Sequence, residues 1–153
     1  MLESADDLRD MWEVNVSGTF AMCQEFGRRM LTRERGKIIN LTSVSGLQGY
    51  PGSASYSATK GAVVQLTKVL GVEWARGGVN VNAIAPCDFV TPMTADYLAD
   101  PEYRERTGRM IPVGRPGKPA DLAGAVIYLA SAASDMVAGH TLAVDGGSVV
   151  NGG

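Results

Sequence analysis

The sequence predicts an α/β fold built as a parallel sheet with flanking helices. Long segments whose apolar residues recur every three or four positions alternate with short apolar runs, in the order helix, strand, helix, strand, loop, helix, strand. Helices that alternate with strands in this way are typical of a parallel sheet covered on its faces. The 153 residues, 45% hydrophobic and 20% charged, suit a single domain over 1–153 with its own core.

The first two predicted elements are a long helix and a buried strand. Residues 5–33 carry apolar side chains at helical spacings, and Gly36 follows the end of the helix. Residues 37–43 hold a short apolar run, which predicts a strand with neighbours on both sides. The glycine-rich residues 44–52 are predicted to form a loop.

The second helix and strand follow directly. A helix is predicted from 53 or 54 to 75, and two glycines end it. Residues 79–86, with the sequence VNVNAIAP, alternate between polar and apolar types, which predicts another strand.

A long segment precedes the last helix and strand. Residues 87–119 contain several prolines and scattered charges, with a short helix predicted over 96–106. A loop of this length inside a compact domain is usually functional, so we expect 87–119 to act as a substrate lid. A helix is predicted over 120–131 and a short strand within 140–147.

Composition and charge argue against several functions. The net charge of −2 gives no electrostatic reason to expect nucleic acid or an anionic membrane as a partner. No apolar run is long enough to span a membrane, and the residues after Met1 do not resemble a secretory leader. Cys23 and Cys87 have no metal-ligand spacing, so we expect no metal and a cytoplasmic location. The single histidine, His140, is expected to be structural or exposed.

The stretch SASYSATK carries chemistry, because Tyr56 and Lys60 stand four residues apart in it. On a helix this spacing places both side chains on one face. A nearby ammonium stabilises a phenolate and lowers the pKa of the phenol, so such a tyrosine can exchange a proton with an alcohol or a ketone. The spacing alone is a weak signal, because a half-buried tyrosine beside a lysine is common.

A serine strengthens the interpretation. Ser43 stands at the end of the predicted strand 37–43, thirteen residues before Tyr56. Ligands of parallel sheets bind in the crevice beyond the carboxyl ends of the strands, so Ser43 and Tyr56 are predicted to meet there. Ser45 is the alternative hydroxyl in the same loop.

Together these residues resemble the C-terminal portion of the short-chain dehydrogenase/reductase family. The matching features are WEVNVSGTF with Asn15, INLTSVSG with Ser43, YSATK with Tyr56 and Lys60, VNVNAIAP, the spacing of Pro86 and Thr91, and GHTLAVDGG. They occur in family order and at family spacings over nearly the whole chain. The resemblance implies a partial, doubly wound Rossmann-type parallel sheet with flanking helices that lacks the N-terminal, cofactor-binding half. It also implies an NAD(P)-dependent oxidoreductase that interconverts a secondary alcohol and a ketone.

The resemblance implies four catalytic residues. Tyr56 is the expected general acid and base, and Lys60 is expected to support its phenolate and to bind the nicotinamide ribose. Ser43 is expected to polarise the substrate oxygen. Asn15 is expected to hold a water that connects Lys60 to solvent, although an ordinary polar position is the alternative.

The resemblance also implies where the cofactor lies. The implied cofactor contacts are Tyr56, Lys60, Pro86, Cys87, Phe89 and Thr91. Cys87 replaces the glycine that is usual in the family, and Phe89 is expected to make the pocket wall bulkier. For Thr91, a role as the cap of a turn is the alternative.

The chain departs from the family in its missing N-terminal half. It lacks the strand–helix–strand unit whose glycine-rich turn seats the cofactor pyrophosphate, so neither NAD nor NADP is preferred by any residue present. We therefore expect a fragment, a shortened chain or a half completed by another chain, and no dinucleotide binding of the usual kind. Strand 37–43 is then expected to have an unpaired edge.

Substrate and partners are the least determined features. The lid sequence resembles family members that act on sugar acids such as gluconate; Arg104, Arg106 and Arg109 are candidates to pair with a carboxylate, or else solvated lid charges. A 3-oxoacyl thioester reductase and a catalytically inactive oligomerisation module are the two alternatives. The resemblance implies a homo-oligomer, a dimer or a tetramer, through helices 5–33 and 54–75.

Overall fold

A single parallel sheet organises the computed structural model, which describes residues 3–151. Strands β1 (Gly36–Leu41), β2 (Val79–Pro86) and β3 (Thr141–Val144) lie in the order β1–β2–β3, and both strand pairs are parallel. The predicted α/β class is confirmed, and the predicted strand 79–86 has the same first and last residues as β2.

Six α-helices within the described part of the chain flank or extend this sheet. They are α1 (Ala5–Trp12), α2 (Gly18–Thr32), α3 (Ala54–Trp74), α4 (Ala95–Ala99), α5 (Pro101–Met110) and α6 (Ala123–Ala130). A π-helical turn, Glu13–Ser17, joins α1 to α2 without a break, so the predicted helix 5–33 is continuous but locally widened. Ser4 caps α1 by accepting a hydrogen bond from the Asp7 N–H group, while the Asp7 carboxylate accepts one from the Ser4 N–H group.

Three predicted boundaries or patterns are corrected. Strand β1 ends at Leu41, so Ser43 lies two residues beyond the strand rather than at its end. The lid helix is two helices, because Asp100 caps α5 through the Glu102 N–H group and Pro101 starts its first turn. The helix predicted over 120–131 begins with a 3-10 turn, Pro119–Leu122, and becomes α-helical at Ala123.

The core lies around β2, which is covered on both faces. Although polar and apolar residues alternate along β2, its burial is nearly continuous. Asn82 is only 1% exposed because its amide group donates to the Val137 carbonyl and accepts from the His140 N–H group. His140 itself is exposed, as expected.

Helix α3 packs on β2 and fixes the position of the sheet relative to the end of the chain. Gly71 of α3 lies so close to the Gly139 backbone that a Cβ atom at Gly71 would collide with it. Leu70, the residue before Gly71, packs with Cys23, Val79 and Val81 in the buried cluster between α2, α3 and β2.

The outer edge of β1 is open, as the sequence predicts. Among the described residues β1 pairs only with β2, and Leu41 is 58% exposed. Exposed apolar residues of the helix above it, including Met22 and Phe26, line a shallow groove along this edge, which we call the β1 edge groove. None of the helices within residues 3–151 is long and apolar enough to cross a bilayer.

Candidate active site

A cavity of about 620 Å³ opens beyond the carboxyl ends of the strands, and we call it the crevice. It is lined by the loop after β1, the start of α3, the segment after β2, helix α5 and the turn after β3. Five of the predicted site residues line it: Ser43, Tyr56, Cys87, Phe89 and Thr91. The cavity at the opposite ends of the strands is larger, about 1130 Å³, but contains none of the predicted site residues, so its size does not make it the site.

Ser43 is buried, and a bond to the main chain fixes its orientation. Its Oγ atom accepts a hydrogen bond of 3.2 Å from the Ser45 N–H group and thereby caps the 3-10 turn Val44–Gly46. A hydroxyl that accepts one bond still has its proton to donate, so Ser43 can donate to a substrate oxygen. Ser45 lines the same cavity.

Tyr56 and Lys60 share one face of α3, as their spacing predicts. The Lys60 Nζ atom lies 5.5 Å from the centre of the Tyr56 ring and donates to the Leu41 carbonyl at 3.3 Å. Burial lowers the pKa of the Lys60 ammonium, so the charge that it places beside Tyr56 is partly desolvated. A desolvated charge acts more strongly on a neighbouring phenol than a charge in water does.

Gly46 holds the Ser43 loop against α3, which sequence reasoning missed. A Cβ atom at position 46 would stand 2.7 Å from the Lys60 carbonyl carbon and 2.9 Å from the Thr42 Oγ atom. Thr42 also donates to the Lys60 carbonyl at 2.8 Å. The loop that carries Ser43 and the turn of α3 that carries Lys60 therefore form one tightly packed unit. Nothing in the sequence distinguishes Gly46 from the other loop glycines, because its constraint comes from α3.

Asn15 lies behind this unit rather than in the crevice. It belongs to the π-helical turn, and its amide group donates to the Thr59 hydroxyl at 3.1 Å. Thr59 in turn donates to the Tyr56 carbonyl at 2.8 Å. Asn15 is thus connected to α3 at the residue before Lys60. π-Helical turns are frequent at functional sites, where they redirect a side chain.

The segment after β2 forms the wall opposite α3. Phe89 is buried against Gly117, and hydrogen bonds on either side of it join Val90 and Asp88 to Gly117. The Thr91 N–H group donates to the Thr94 hydroxyl at 3.0 Å, so this donor already serves the turn. That bond favours the predicted alternative in which Thr91 stabilises a turn.

Cys87 is half-buried at the base of this wall, immediately after Pro86 ends β2. Burial, followed by the negative charges of Asp88 and Asp145, raises the pKa of the Cys87 thiol to about 11. A neutral thiol is a poor nucleophile, so we assign Cys87 no covalent chemistry.

Sequence reasoning also missed several polar residues of the crevice. Tyr50 accepts from Gln48 at 2.7 Å and shares a hydrogen bond of 3.2 Å with Ser148, which ties the loop after β1 to the turn after β3. Asp88 and Tyr103 stand on the other side. These residues come from four separate segments, so only the fold brings them together.

The residues present fit one end of a nicotinamide cofactor. Lys60 uses one N–H donor on the Leu41 carbonyl and has two left, and the Phe89 N–H group has no partner within residues 3–151. Free donors of this kind suit a ribose hydroxyl and a carboxamide oxygen. The described residues contain no Gly-x-x-x-Gly-x-Gly turn between a strand and a helix, the arrangement that would hold a pyrophosphate.

Comparison with known proteins extends over nearly all of the chain. Residues 2–149 match a family described as enoyl-(acyl carrier protein) reductase. Gluconate 5-dehydrogenase of Gluconobacter oxydans is 42% identical over 148 residues, and the galactitol 2-dehydrogenase (L-tagatose-forming) of Cereibacter sphaeroides is 47% identical over 144 residues. These matches cover 97% and 93% of this chain but 58% and 57% of the relatives, so the chain spans less than two thirds of their length.

A solved structure shows the same backbone arrangement. The gluconate 5-dehydrogenase from Burkholderia cenocepacia, crystallised in complex with NADP and tartrate, superposes with a TM-score of 0.93 at 42% identity. The superposition covers 97% of this chain and 58% of that one.

Proposed function

This chain belongs to the short-chain dehydrogenase/reductase family, and we propose that it interconverts a secondary alcohol and a ketone with NAD or NADP as the hydride carrier. One observation carries the proposal: Ser43 and Tyr56 line the same cavity, and the Lys60 ammonium lies beside the Tyr56 ring. A proton donor, a second hydroxyl and a neighbouring cation are the groups that carbonyl reduction needs.

In the reducing direction, the Tyr56 hydroxyl donates its proton to the carbonyl oxygen of the substrate, and the Ser43 hydroxyl donates a hydrogen bond to the same oxygen. The nicotinamide ring, when bound, supplies the hydride that reaches the carbonyl carbon. The Lys60 ammonium stabilises the phenolate that remains on Tyr56. In oxidation Tyr56 accepts the alcohol proton instead. We propose that Asn15, through Thr59, positions the turn of α3 that carries Tyr56 and Lys60.

For the substrate we propose a sugar acid. The gluconate 5-dehydrogenases among the relatives support this class, as does the dicarboxylate tartrate bound in one of them. The crevice is lined mainly by hydroxyl-bearing side chains, which suits a polyhydroxylated molecule. The alternative, a 3-oxoacyl thioester reductase, is supported by another relative, a 3-oxoacyl-[acyl-carrier-protein] reductase of Rickettsia bellii that is 40% identical over 145 residues.

The second alternative is an oligomerisation module without catalysis. Apolar residues on the outer faces of the two long helices are exposed, among them Phe20 and Val72. Such a surface suits contact with another copy of the chain, so we propose a homo-oligomer through helices 5–33 and 54–75. The two free cysteines suit the cytoplasmic location that we also propose.

The test is reduction of a keto sugar acid, 5-keto-D-gluconate, by NADH and by NADPH, followed by absorbance. Tyr56→Phe is expected to lower kcat by about 100-fold or more, because the proton donor is lost while the ring remains. Tyr128→Phe, which removes a hydroxyl on α6 far from the crevice, is the matched control. Equal rates in the two variants would overturn the mechanism. A wild-type chain without turnover on this ketone and on acetoacetyl thioester would favour the oligomerisation module.

A further inference from the structure

The three arginines of the lid differ in what they contact. Arg104 donates from its Nε atom to the Leu98 carbonyl at 3.1 Å and so holds α4 against α5. Arg109 forms an ion pair with Glu105 one turn earlier, and it does not line the crevice. These two side chains are accounted for by the lid itself.

Arg106 is different, because it lines the crevice. Its guanidinium carbon lies 5.0 Å from the centre of the Tyr103 ring, one turn earlier on α5. Within residues 3–151 it forms no ion pair and no hydrogen bond. Stacking on an aromatic ring orients a guanidinium while leaving its N–H edge free, and that edge matches the two oxygens of a carboxylate.

The other charged residue of the crevice limits where an anion can bind. Among the described residues that line the cavity, Asp88 is the one carboxylate and Arg106 is the one cation. Asp88 is exposed as a residue, yet partial burial of its carboxyl raises the pKa of that group, and the Arg106 charge opposes the rise. The two groups therefore sense each other without forming an ion pair within the described residues.

We infer that Arg106 receives the carboxylate of the substrate, with its guanidinium held in place by Tyr103, and that Asp88 sets the strength of this anion site. The inference rests on the proposed function, since it names the residue that would select a sugar acid over a neutral polyol. Ser43 and Tyr56 stand on the β1 and α3 side of the cavity and Arg106 on the α5 side. A substrate with a carboxylate at one end and a secondary alcohol further along can therefore reach both.

The test is binding of sodium D-gluconate and of the neutral hexitol D-glucitol to the full 153-residue chain, measured by calorimetry at low ionic strength. Arg106→Gln is expected to weaken gluconate binding by about tenfold, the usual effect of losing one charge-assisted hydrogen bond, and to change glucitol binding less than twofold. Arg109→Gln, which removes a lid arginine outside the crevice, is expected to bind both probes as the wild type does. Asp88→Asn is expected to strengthen gluconate binding about twofold to threefold, because a like charge is removed.

These binding measurements either support the carboxylate site at Arg106 or overturn it. Equal gluconate affinities for Arg106→Gln and Arg109→Gln would overturn the inference, and so would the absence of gluconate binding to the wild type. A loss of both probes in Arg106→Gln would show that Arg106 shapes the lid and is not a carboxylate receptor. None of these results bears on the proposed interconversion of an alcohol and a ketone, which is judged separately by the effect of Tyr56→Phe on turnover.

Discussion

Strands β1 and β2 run side by side, but different parts of the molecule cover them. β2 lies between two strands under α3, and Ile84 near its end is 2% exposed. Its partner in the register, Leu41 of β1, is 58% exposed beside the open β1 edge groove. The crevice opens where the covered strand ends, with the loop after β1 held against α3. The covered part of the sheet thus fixes the geometry of the candidate site, while the open edge leaves apolar surface without a neighbour.

The largest loss of stability is expected for a substitution in β2, the covered strand. Ile84→Ala should lower the free energy of unfolding by about 2–5 kcal/mol, because a fully buried side chain is truncated. Leu41→Ala, directly across the register, should change it by less than about 0.5 kcal/mol. Urea denaturation of both variants measures the difference. Similar losses at the two positions would mean that the β1 edge groove is covered in solution.

A substitution at the contact between the Ser43 loop and α3 is expected to lower the free energy of unfolding by nearly as much. Gly46→Ala should cost about 1–3 kcal/mol, because the added methyl group has to displace the Lys60 backbone or the Thr42 hydroxyl. Gly49→Ala, three residues later in the same loop, meets nothing within 4 Å and should be close to neutral. Urea midpoints compare the two. A neutral Gly46→Ala would show that the loop is not held as tightly as the crevice requires.

The pH dependence of alkylation at Cys87 measures how strongly the crevice is desolvated. Because burial, Asp88 and Asp145 raise the pKa of Cys87 to about 11 from 9.0, the rate of alkylation by iodoacetamide should rise with a midpoint near pH 11. Between pH 9 and 11 the folded state retains a proton that the unfolded state has lost, so stability should fall as the pH rises through this window.

The variant Asp88→Asn sharpens this measurement. It should move the alkylation midpoint downwards, because the Asp88 charge is the second-largest cause of the raised pKa. A Cys23→Ser background removes the other thiol, which is buried between α2 and β1. If the alkylation midpoint of Cys87 lay near pH 9 with Asp88 in place, the thiol would not be desolvated.

The smallest effect is expected at the surface ion pair between Arg115 of the lid and Asp121 of the turn that follows it. The hydrogen bond from Arg115, followed by one from the Lys118 N–H group, lowers the pKa of Asp121 to about 2. Since the folded-state pKa lies below the ordinary 3.8, the contribution of Asp121 to stability is present above pH 3.8 and is lost as the pH falls towards 2. An NMR titration of the Asp121 carboxyl in the wild type and in Arg115→Gln checks this, and unchanged titration in the variant would contradict it.

Local patterns were enough to predict the elements of the fold. Apolar periodicity placed the long helices, and the limits of β2 were found to the residue because Gly78 and the Pro86–Cys87 junction bound it. The π-helical turn at Glu13–Ser17 was not predicted, since its hydrogen-bonding pattern has no compositional signature. The end of β1 was placed two residues late, because Thr42 and Ser43 are compatible with a strand and only the capped turn stops it.

The sequence predicts only those residues of the candidate site whose positions follow from short spacings along the chain. Tyr56 and Lys60 follow from helical geometry, and Ser43 follows from its place after a parallel strand. The role of Gly46 and the different surroundings of Arg104, Arg106 and Arg109 depend on contacts between distant segments. Spacing within one element cannot give such contacts, so the sequence left the three arginines equivalent and the structure separates them.

We propose that Lys60, beside the Tyr56 ring at the crevice, binds the nicotinamide end of the cofactor. The sharpest test is a fluorescence titration of the 153-residue chain with NADH, NADPH and reduced nicotinamide mononucleotide. We predict saturable binding of all three with similar affinities, because the described residues offer donors only for the end that the three molecules share. Lys60→Met should weaken this binding, and Lys68→Met, an exposed lysine on the same helix, should not. No binding, or identical titrations for the two lysine variants, would rule out this role of Lys60.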